Sequence, residues 1–287
     1  MGEAGDVACT ASAWAGLGYR RREPERGVRA GRVALEGFGL LVYAFLLAPL
    51  VVVVLASLNA ANYLTFPPRG LSLRWYRALW ESDLWTESFR LSLLVTAVVT
   101  PLALVVGTLA AYALVRFDFR GKTAVRTLIM APLVMPQIVL GIALLNYFSA
   151  LGLINTLTGL VLGHAIVTLP YTVRLVTISV QNLDPALERA AQSLGANSWQ
   201  VFWRVTLPLL RPGVVAGAIF AAIISFGELG VTLLIAGAST TTLPLRIFNY
   251  TEYNFDPAIN AVSTIFVLLA VVLIAVLDRL IGLVRIG

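Results

Sequence analysis

Long apolar runs alternate with short polar segments along most of this chain. Crossing the roughly 30 Å hydrocarbon core of a bilayer takes about 20 helical residues, and several runs reach that length. The runs are continuously apolar rather than alternating, which favours helices over the strands of a membrane barrel. We therefore predict an all-α, polytopic membrane protein with six transmembrane helices. They fall at residues 38–58, 89–115, 127–148, 159–180, 212–236 and 259–281.

The polar segments divide the chain into regions. We expect a disordered cytoplasmic tail at 1–37, a first span at 38–58, an extracytoplasmic loop with an interfacial helix at 59–87, a membrane core at 88–281 and a cytoplasmic C-terminus at 282–287. The loop interleaves aromatic with charged residues, as helices in the membrane interface do. Its aromatic residues either anchor the second span or contact a ligand or partner, and they are Trp75, Tyr76, Trp80 and Trp85.

The distribution of arginine and lysine predicts the orientation. An even number of spans puts both termini on the same side of the membrane. If that side is the cytoplasm, the inner segments hold 16 of the 21 basic residues. The outer segments then hold Arg69, Arg74, Arg77, Arg90 and Arg246. Because cytoplasmic loops carry an excess of basic residues, we expect both termini in the cytoplasm.

Composition narrows the class of protein further. Hydrophobic residues make up 59% of the chain and charged residues 13%, more apolar surface than one soluble core could bury, so membrane lipid must surround most of it. The net charge of +6 is spread over loops rather than gathered with aromatic residues on one face, so no nucleic-acid partner is expected. Cys9 is the single cysteine, which excludes an internal disulfide and a cysteine-based metal cage.

Catalytic motifs are incomplete in this sequence. Gly121-Lys122-Thr123 is similar to the end of a phosphate-binding loop, but Arg116 stands where that loop needs its first glycine, and no strand precedes it. His164 has no second histidine or cysteine beside it, so we expect it to pack within the bundle rather than to bind a metal or act in a dyad. We therefore predict no enzyme activity, no cofactor and no metal.

The segment at residues 184–208 is polar and helix-forming, although it lies between two membrane-length runs. Asp184 and Pro185 are typical of a helix start, and Gly195 allows the left-handed conformation that ends a helix. The apolar positions recur at helical spacing, and small alanines among them would let another surface approach closely. After a fresh cap at 196–198, a second amphipathic helix is expected. The apolar positions are Leu187, Ala190, Ala191 and Leu194 in the first helix and Trp199, Phe202, Trp203 and Leu207 in the second, which runs to Pro208.

This hairpin resembles the EAA loop of binding-protein-dependent ABC importer permeases. That loop reads Glu-Ala-Ala, three residues, Gly, nine residues, Ile, any residue, Leu-Pro. Five positions match in register: Ala190, Ala191, Gly195, Leu207 and Pro208. Val205 replaces the isoleucine, and Arg189 occupies the glutamate position, with an acid one place earlier at Glu188. The resemblance extends over about residues 88–281.

The resemblance implies a type I, MetI-like fold whose five core spans follow one extra N-terminal span. It implies a multi-pass protein of the bacterial inner membrane that works with cytoplasmic ABC ATPase subunits, a second permease subunit and a periplasmic substrate-binding protein. The coupling loop at 184–208 would contact the ATPase, which binds and hydrolyses ATP in place of this chain. The residues implied in coupling are Glu188, Arg189, Ala190, Ala191, Gly195, Leu207 and Pro208.

Glu228 places an acidic group inside the fifth apolar run. An ionisable residue at that depth costs about 2.5 to 3.5 kcal/mol, so it should face the bundle interior, a partner helix or water. It either makes a structural hydrogen bond or ion pair, for which Arg174 is a candidate partner, or lines a translocation path that favours a cation. His164 and Arg174 are further candidates for that path.

The substrate is indicated only by resemblance. Residues 237–247 and 260–264 are similar to the polyamine (spermidine/putrescine) branch of importer permeases, which implies a small cationic solute. Iron, phosphonate and opine importers share much of this pattern. A secondary transporter driven by an ion gradient is the alternative function, although such carriers often contain inverted repeats and no internal repeat is evident here.

Overall fold

The computed structural model describes residues 26–254 and 256–281, and in these ranges every long element is a helix. Contacts group the chain into two units, residues 1–52 and 53–287. The first unit contains most of helix α1 (Arg26–Ser57), whose apolar part Leu35–Ser57 is long enough to cross a membrane. The helix begins within the segment predicted to be a disordered tail. The arginine, alanine and glutamate residues of this segment have high helix propensity, so the helix extends beyond the apolar run. Residues 1–25 of that predicted tail lie outside the described residues.

The second unit contains the remaining helices, so the predicted all-α fold class is confirmed. They are α2 (Arg74–Glu81), α3 (Asp83–Arg116), α4 (Lys122–Val134), α5 (Gln137–Ala150), α6 (Leu157–Asn182), α7 (Pro185–Ser193), α8 (Ser198–Val201), α9 (Leu207–Leu209), α10 (Arg211–Gly227), α11 (Thr232–Ile235), α12 (Leu243–Tyr253) and α13 (Ala258–Ile281). A π-helical turn at Phe202–Thr206 joins α8 to α9, and a 3-10 turn at Ala238–Thr240 precedes α12.

The predicted third span is not one continuous helix. Helices α4 and α5 replace the predicted helix at 127–148, and their axes differ in direction by 115°. The chain turns at Met135, whose extended backbone has φ −85° and ψ 137°. Met135 precedes Pro136, and a residue before proline is disfavoured in the helical conformation, so the helix ends there. By contrast, α3 and α6 run unbroken through the spans predicted at 89–115 and 159–180.

The predicted fifth span, at 212–236, is also interrupted. Helix α10 ends at Gly227, Glu228 is extended with φ −68° and ψ 121°, and α11 follows only at Thr232. The segment Ser198–Leu209 meets α10 at a bend of 69°. Three described helices are long and apolar enough to span a membrane, or five spans result if each bent pair counts as one. The number six therefore stays a prediction.

Helix α6 packs against both α3 and α10 through small residues. A Cβ atom added to Gly217 of α10 would lie 3.1 Å from Cγ2 of Thr172, and one added to Gly107 of α3 would lie 2.8 Å from the same atom. Gly213, one turn before Gly217, lies even closer to the side chain of Ser179. Glycine at these positions lets the helix backbones approach, which is the usual way that membrane helices associate.

The short helix α2 lies in the predicted extracytoplasmic loop. Its Leu79 is buried in a cluster with Phe226, Leu243, Ala261 and Val262. The loop's aromatic residues divide into two groups. Trp75, Tyr76 and Trp85 pack against that cluster, whereas Trp80 is 80% exposed. The packed group supports the role of an anchor beside the second span.

Candidate functional site

The helix ends predicted for the hairpin are confirmed. Asp184 accepts a hydrogen bond from the Ala186 amide at 2.8 Å, so it caps α7. Gly195 has a φ of +89°, a left-handed conformation that strains other residues. Asn197 and Gln200 then form a reciprocal capping box at the start of α8, with bonds of 2.9 and 3.0 Å. These local signals define where the helices of the hairpin begin and end.

Helix α7 exposes its apolar residues and buries an acidic one. Leu187 is 47% exposed and Leu194 is 90% exposed, whereas Glu188 is only 8% exposed. Arg189 and Ala190 are exposed, and Ala191 is half-buried. A helix that packs on its own protein normally shows the reverse pattern, with leucines inward and charges outward. The outer face of α7 therefore leaves apolar side chains uncovered by the described part of this chain.

Three polar contacts reach the buried carboxylate of Glu188, and a fourth joins Arg116 to the backbone just before α7. Thr206 donates to Oε1 at 2.7 Å, and the Tyr112 hydroxyl donates to the same oxygen at 3.4 Å. Nε of Arg116 lies 3.0 Å from Oε2, and Nη2 of Arg116 donates to the Leu183 carbonyl at 2.9 Å. We call Tyr112, Arg116, Glu188 and Thr206 the polar joint.

Three members of the polar joint, Tyr112, Arg116 and Thr206, could not be identified as contacts of Glu188 from the sequence. Tyr112 and Glu188 are 76 positions apart, so no motif spacing links them. In the sequence, Arg116 is recognisable only as a basic residue and as a departure from the phosphate-loop motif. The sequence offered one signal: a basic residue in the last turn of one membrane helix and an acidic residue in a later segment predicted to be cytoplasmic could form an ion pair.

Aromatic rings continue from the polar joint to the exposed side of the hairpin. Tyr112 contacts Phe202 edge-to-face with ring centroids 5.3 Å apart, and Phe202 contacts Trp203 at 5.6 Å. Trp203 in turn contacts Trp199 at 5.4 Å, and Trp199 is 69% exposed. Such pairs contribute about 0.5 to 1.5 kcal/mol each beyond their burial. The second helical segment of the hairpin, Ser198–Leu209, is therefore attached to α3 by aromatic packing as well as by polar contacts.

Leu207 and Pro208 lie apart from the exposed face of α7. Both are half-buried and belong to α9, at the bend where the hairpin continues into α10. The motif residues thus form an outward group, at Arg189, Ala190, Ala191 and Gly195, and an inward group, at Glu188, Leu207 and Pro208. The outward group lies on the exposed side of the hairpin, and the inward group connects the hairpin to α3 and α10.

A second polar cluster lies at the break between α10 and α11. His164 is 1% exposed, which confirms that it packs within the bundle. Its Nδ1 lies 3.2 Å from Oγ of Ser225, before the break, and its Nε2 lies 2.9 Å from Oγ1 of Thr232, after the break. Glu228 is 3% exposed, and its Oε1 accepts a hydrogen bond from the Val231 amide at 2.6 Å. His164 and Glu228 therefore both stabilise this break.

Arg174 does not join that cluster. It lies ten residues beyond His164 on α6, about 15 Å along the helix, and it is exposed. Within residues 26–254 and 256–281, no ion pair joins it to Glu228. Of the two structural contacts that the sequence left open for Glu228, the structure shows the hydrogen bond, and the ion pair with Arg174 is not formed.

The fold is similar to that of a chain found in an ABC transporter. It matches a chain in the crystal structure of a bacterial ABC transporter involved in the import of the acidic polysaccharide alginate, with a TM-score of 0.72. The match covers 88% of this chain and 97% of that chain at 16% sequence identity, so it concerns the fold. The arrangement of helices is thus one that occurs in an ABC transporter.

The sequence comparison then gives the family. Residues 103–285 match the family described as "Binding-protein-dependent transport system inner membrane component", and the chain belongs to that family. It is 33% identical to the spermidine/putrescine transport system permease protein PotC of Haemophilus influenzae, over 86% of this chain and 95% of the relative. It is 34% identical to the putrescine transport system permease protein PotI of Escherichia coli K12, over 79% and 83% of the two chains.

Family membership decides between the functions that the sequence left open. The chain is a multi-pass membrane permease subunit of an ABC importer, not a secondary transporter. It is not itself an enzyme, because the ATPase activity of these importers resides in a separate subunit.

Proposed function

We propose that this permease moves a polyamine or a similar small cationic solute across the bacterial inner membrane. Two relatives, 33% and 34% identical to this chain, are polyamine permeases by name, and their similarity covers most of its length. In this proposal a second permease subunit completes the path and a periplasmic binding protein delivers the solute. Cytoplasmic ATPase subunits supply the energy, and both termini of this chain lie in the cytoplasm.

The exposed face of α7 carries the proposal that ATP hydrolysis is coupled through residues 184–208. Leu194 leaves 90% of its surface uncovered and Leu187 leaves 47%. Burying a leucine side chain completely stabilises a complex by about 1.5 to 3 kcal/mol. Between them, the small side chain of Ala190 allows a partner backbone to approach, while Arg189 offers a charge at the edge of the contact. An ATPase subunit with a complementary groove is the proposed occupant.

The transport step follows from how the hairpin is attached. Its second helical segment continues through Leu207 and Pro208 into α10 across the 69° bend. ATP-driven closure of the partner displaces α7, and α10 changes its tilt because it is joined to the same hairpin. The resulting movement of packed helices opens the path to the inside, as in other rigid-body alternating-access changes.

Reconstitution tests the proposed function. The chain is assembled in liposomes with its second permease, ATPase and binding protein, and uptake of radiolabelled putrescine is measured. We expect uptake that requires ATP and is abolished by vanadate. Uptake by this chain alone, driven by a proton gradient, would contradict an ATP-driven mechanism. Saturable ATP-driven uptake of sulfate that excess putrescine does not inhibit would contradict the proposed cationic substrate.

A charge substitution at Glu228 tests whether this residue lines the path for a cation. Glu228→Gln keeps an oxygen that can accept from the Val231 amide, now at 2.6 Å, but it removes the negative charge. We expect putrescine uptake to fall about tenfold, about 1.4 kcal/mol of lost stabilisation of the cation in transit, while the complex remains assembled. Glu87→Gln, which neutralises an exposed acid of α3, is the matched control and should transport normally. Normal uptake by an assembled Glu228→Gln complex would show that Glu228 only stabilises the break between α10 and α11 through its hydrogen bond to Val231.

A further inference from the structure

Three segments of the chain meet at the polar joint. Arg116 and Tyr112 belong to the last two turns of α3, Glu188 belongs to α7, and Thr206 belongs to the turn that leads into α9. The side chains of Arg116 and Glu188 are 14% and 11% exposed, so their charges are largely removed from water. A buried pair of this kind resists separation, because moving one partner leaves the other charge without compensation.

The guanidinium of Arg116 holds the hairpin at two points. Its Nε lies 3.0 Å from Glu188, and its Nη2 donates to the carbonyl of Leu183 at 2.9 Å. Leu183 directly precedes Asp184, the residue that caps α7. The planar fork of arginine makes both contacts at once, which a lysine ammonium does with less directional control. The start of α7 and its buried carboxylate therefore keep a fixed position relative to the end of α3.

The opposite end of α3 is bonded to a different element. Ser92 Oγ accepts a hydrogen bond from the Leu243 amide at 2.7 Å, and Ser88 Oγ accepts one from Nε of Arg246 at 3.2 Å. Both donors lie in the first turn of α12. Helix α3 has 34 residues and is about 50 Å long, and it runs without a break between these two sets of contacts.

We propose that α3 transmits displacement of the hairpin across the membrane to α12. Arg116 and Tyr112 are the positioning residues that attach α3 to Glu188. This inference rests on the proposed coupling through residues 184–208 and adds the membrane helix that receives the movement. Aromatic contacts support the same attachment, since Tyr112 lies between Phe202 and Phe117 with ring centroids 5.3 and 5.9 Å away.

The test separates transmission from assembly. In the complete transporter, Glu188→Gln removes the charge that Arg116 faces but keeps the shape of the side chain. We expect the variant to retain its ATPase subunits, while the amount of putrescine taken up per ATP hydrolysed falls at least fivefold. Asp118→Asn is the matched control, because it breaks an exposed ion pair with Lys122, 2.9 Å long, at the next turn of the chain. The control should keep the parental ratio.

A spectroscopic reporter on α12 measures transmission directly. Cys9→Ser removes the single native cysteine, and Tyr253→Cys places a fluorophore at a residue that is 80% exposed at the end of α12. We expect ATP to change the fluorescence of the parent complex and of Asp118→Asn, but to change that of Glu188→Gln by less than a fifth as much. Arg116→Lys keeps the charge but not the two directed contacts, so its response should fall between those of Glu188→Gln and the parent.

Two outcomes would overturn the inference. One is a Glu188→Gln complex with the parental uptake per ATP and the parental fluorescence change. The other applies if Glu188→Gln fails to assemble. Tyr112→Phe then replaces it, since this variant loses one hydroxyl and keeps the aromatic contacts. Parental uptake per ATP and a parental fluorescence change in both Tyr112→Phe and Arg116→Lys would reject the role of α3. Failure of the proposed coupling surface would give a different result. In that case a substitution on the outer face of α7 would leave the ATPase bound and uptake normal.

Discussion

Replacing Ala190 with tryptophan is expected to weaken the binding of the ATPase subunits at least tenfold and to abolish ATP-driven uptake. Ala190 is exposed on α7, between two leucines that are 47% and 90% exposed, so a large side chain there would not disturb the permease fold. It would keep a partner surface from approaching the helix backbone and would leave the leucines partly uncovered. A tenfold loss of affinity corresponds to about 1.4 kcal/mol, less than the burial of one leucine contributes.

Co-purification of the ATPase with a tagged permease measures this effect, and uptake into reconstituted liposomes measures its consequence. Ala78→Trp is the matched control, because Ala78 is also exposed on a short helix, but in the loop that we predict to be extracytoplasmic. The control should retain the full amount of ATPase. If Ala190→Trp retains it as well and still transports, the ATPase does not dock on α7 and the coupling proposal is wrong.

Gly213→Val is expected to remove most of the folded permease. A Cβ atom at this position would overlap the side chain of Ser179 and would lie 3.2 Å from the carbonyl oxygen of Leu175, a backbone atom that cannot turn aside. The two branches of valine would add further contacts, so α10 and α6 would have to separate. Inserting bulk into a packed contact costs typically about 1 to 3 kcal/mol, a large share of the roughly 5 to 15 kcal/mol that stabilises a folded protein.

Size-exclusion chromatography in detergent and thermal unfolding measure this loss. Gly37→Val in α1 is the control, because no atom lies within 4 Å of a Cβ built there, and it should elute and melt like the parent. The double variant Gly213→Ala with Ser179→Gly should be much more stable than Gly213→Val, since the Cβ added to α10 takes the space of the side chain removed from α6. A Gly213→Val protein with the yield and melting temperature of Gly37→Val would show that α6 and α10 do not approach as closely as described.

Short-range patterns were sufficient for the ends of the hairpin. Asp184, Gly195 and Asn197 each act on backbone groups within three residues of themselves, so their effect is written in the local sequence. The same reasoning failed within the predicted third and fifth spans. Hydropathy averages over many residues and does not register a single extended residue such as Met135 or Glu228. A proline after Met135 was visible, but proline also occurs inside α3 and α6 without breaking them.

The sequence by itself determined the membrane-protein class, the helical fold and the position of the hairpin, because apolar length and helix capping depend on neighbours along the chain. Only the tertiary structure decided which side of α7 faces outward and what Glu188 contacts. The spacing of Leu187 and Leu194 predicts an apolar stripe but not its degree of exposure; both are exposed, while Glu188 is buried. Its partner Arg116 compensates the charge from a distant part of the chain, and such a long-range pair leaves no periodic signal.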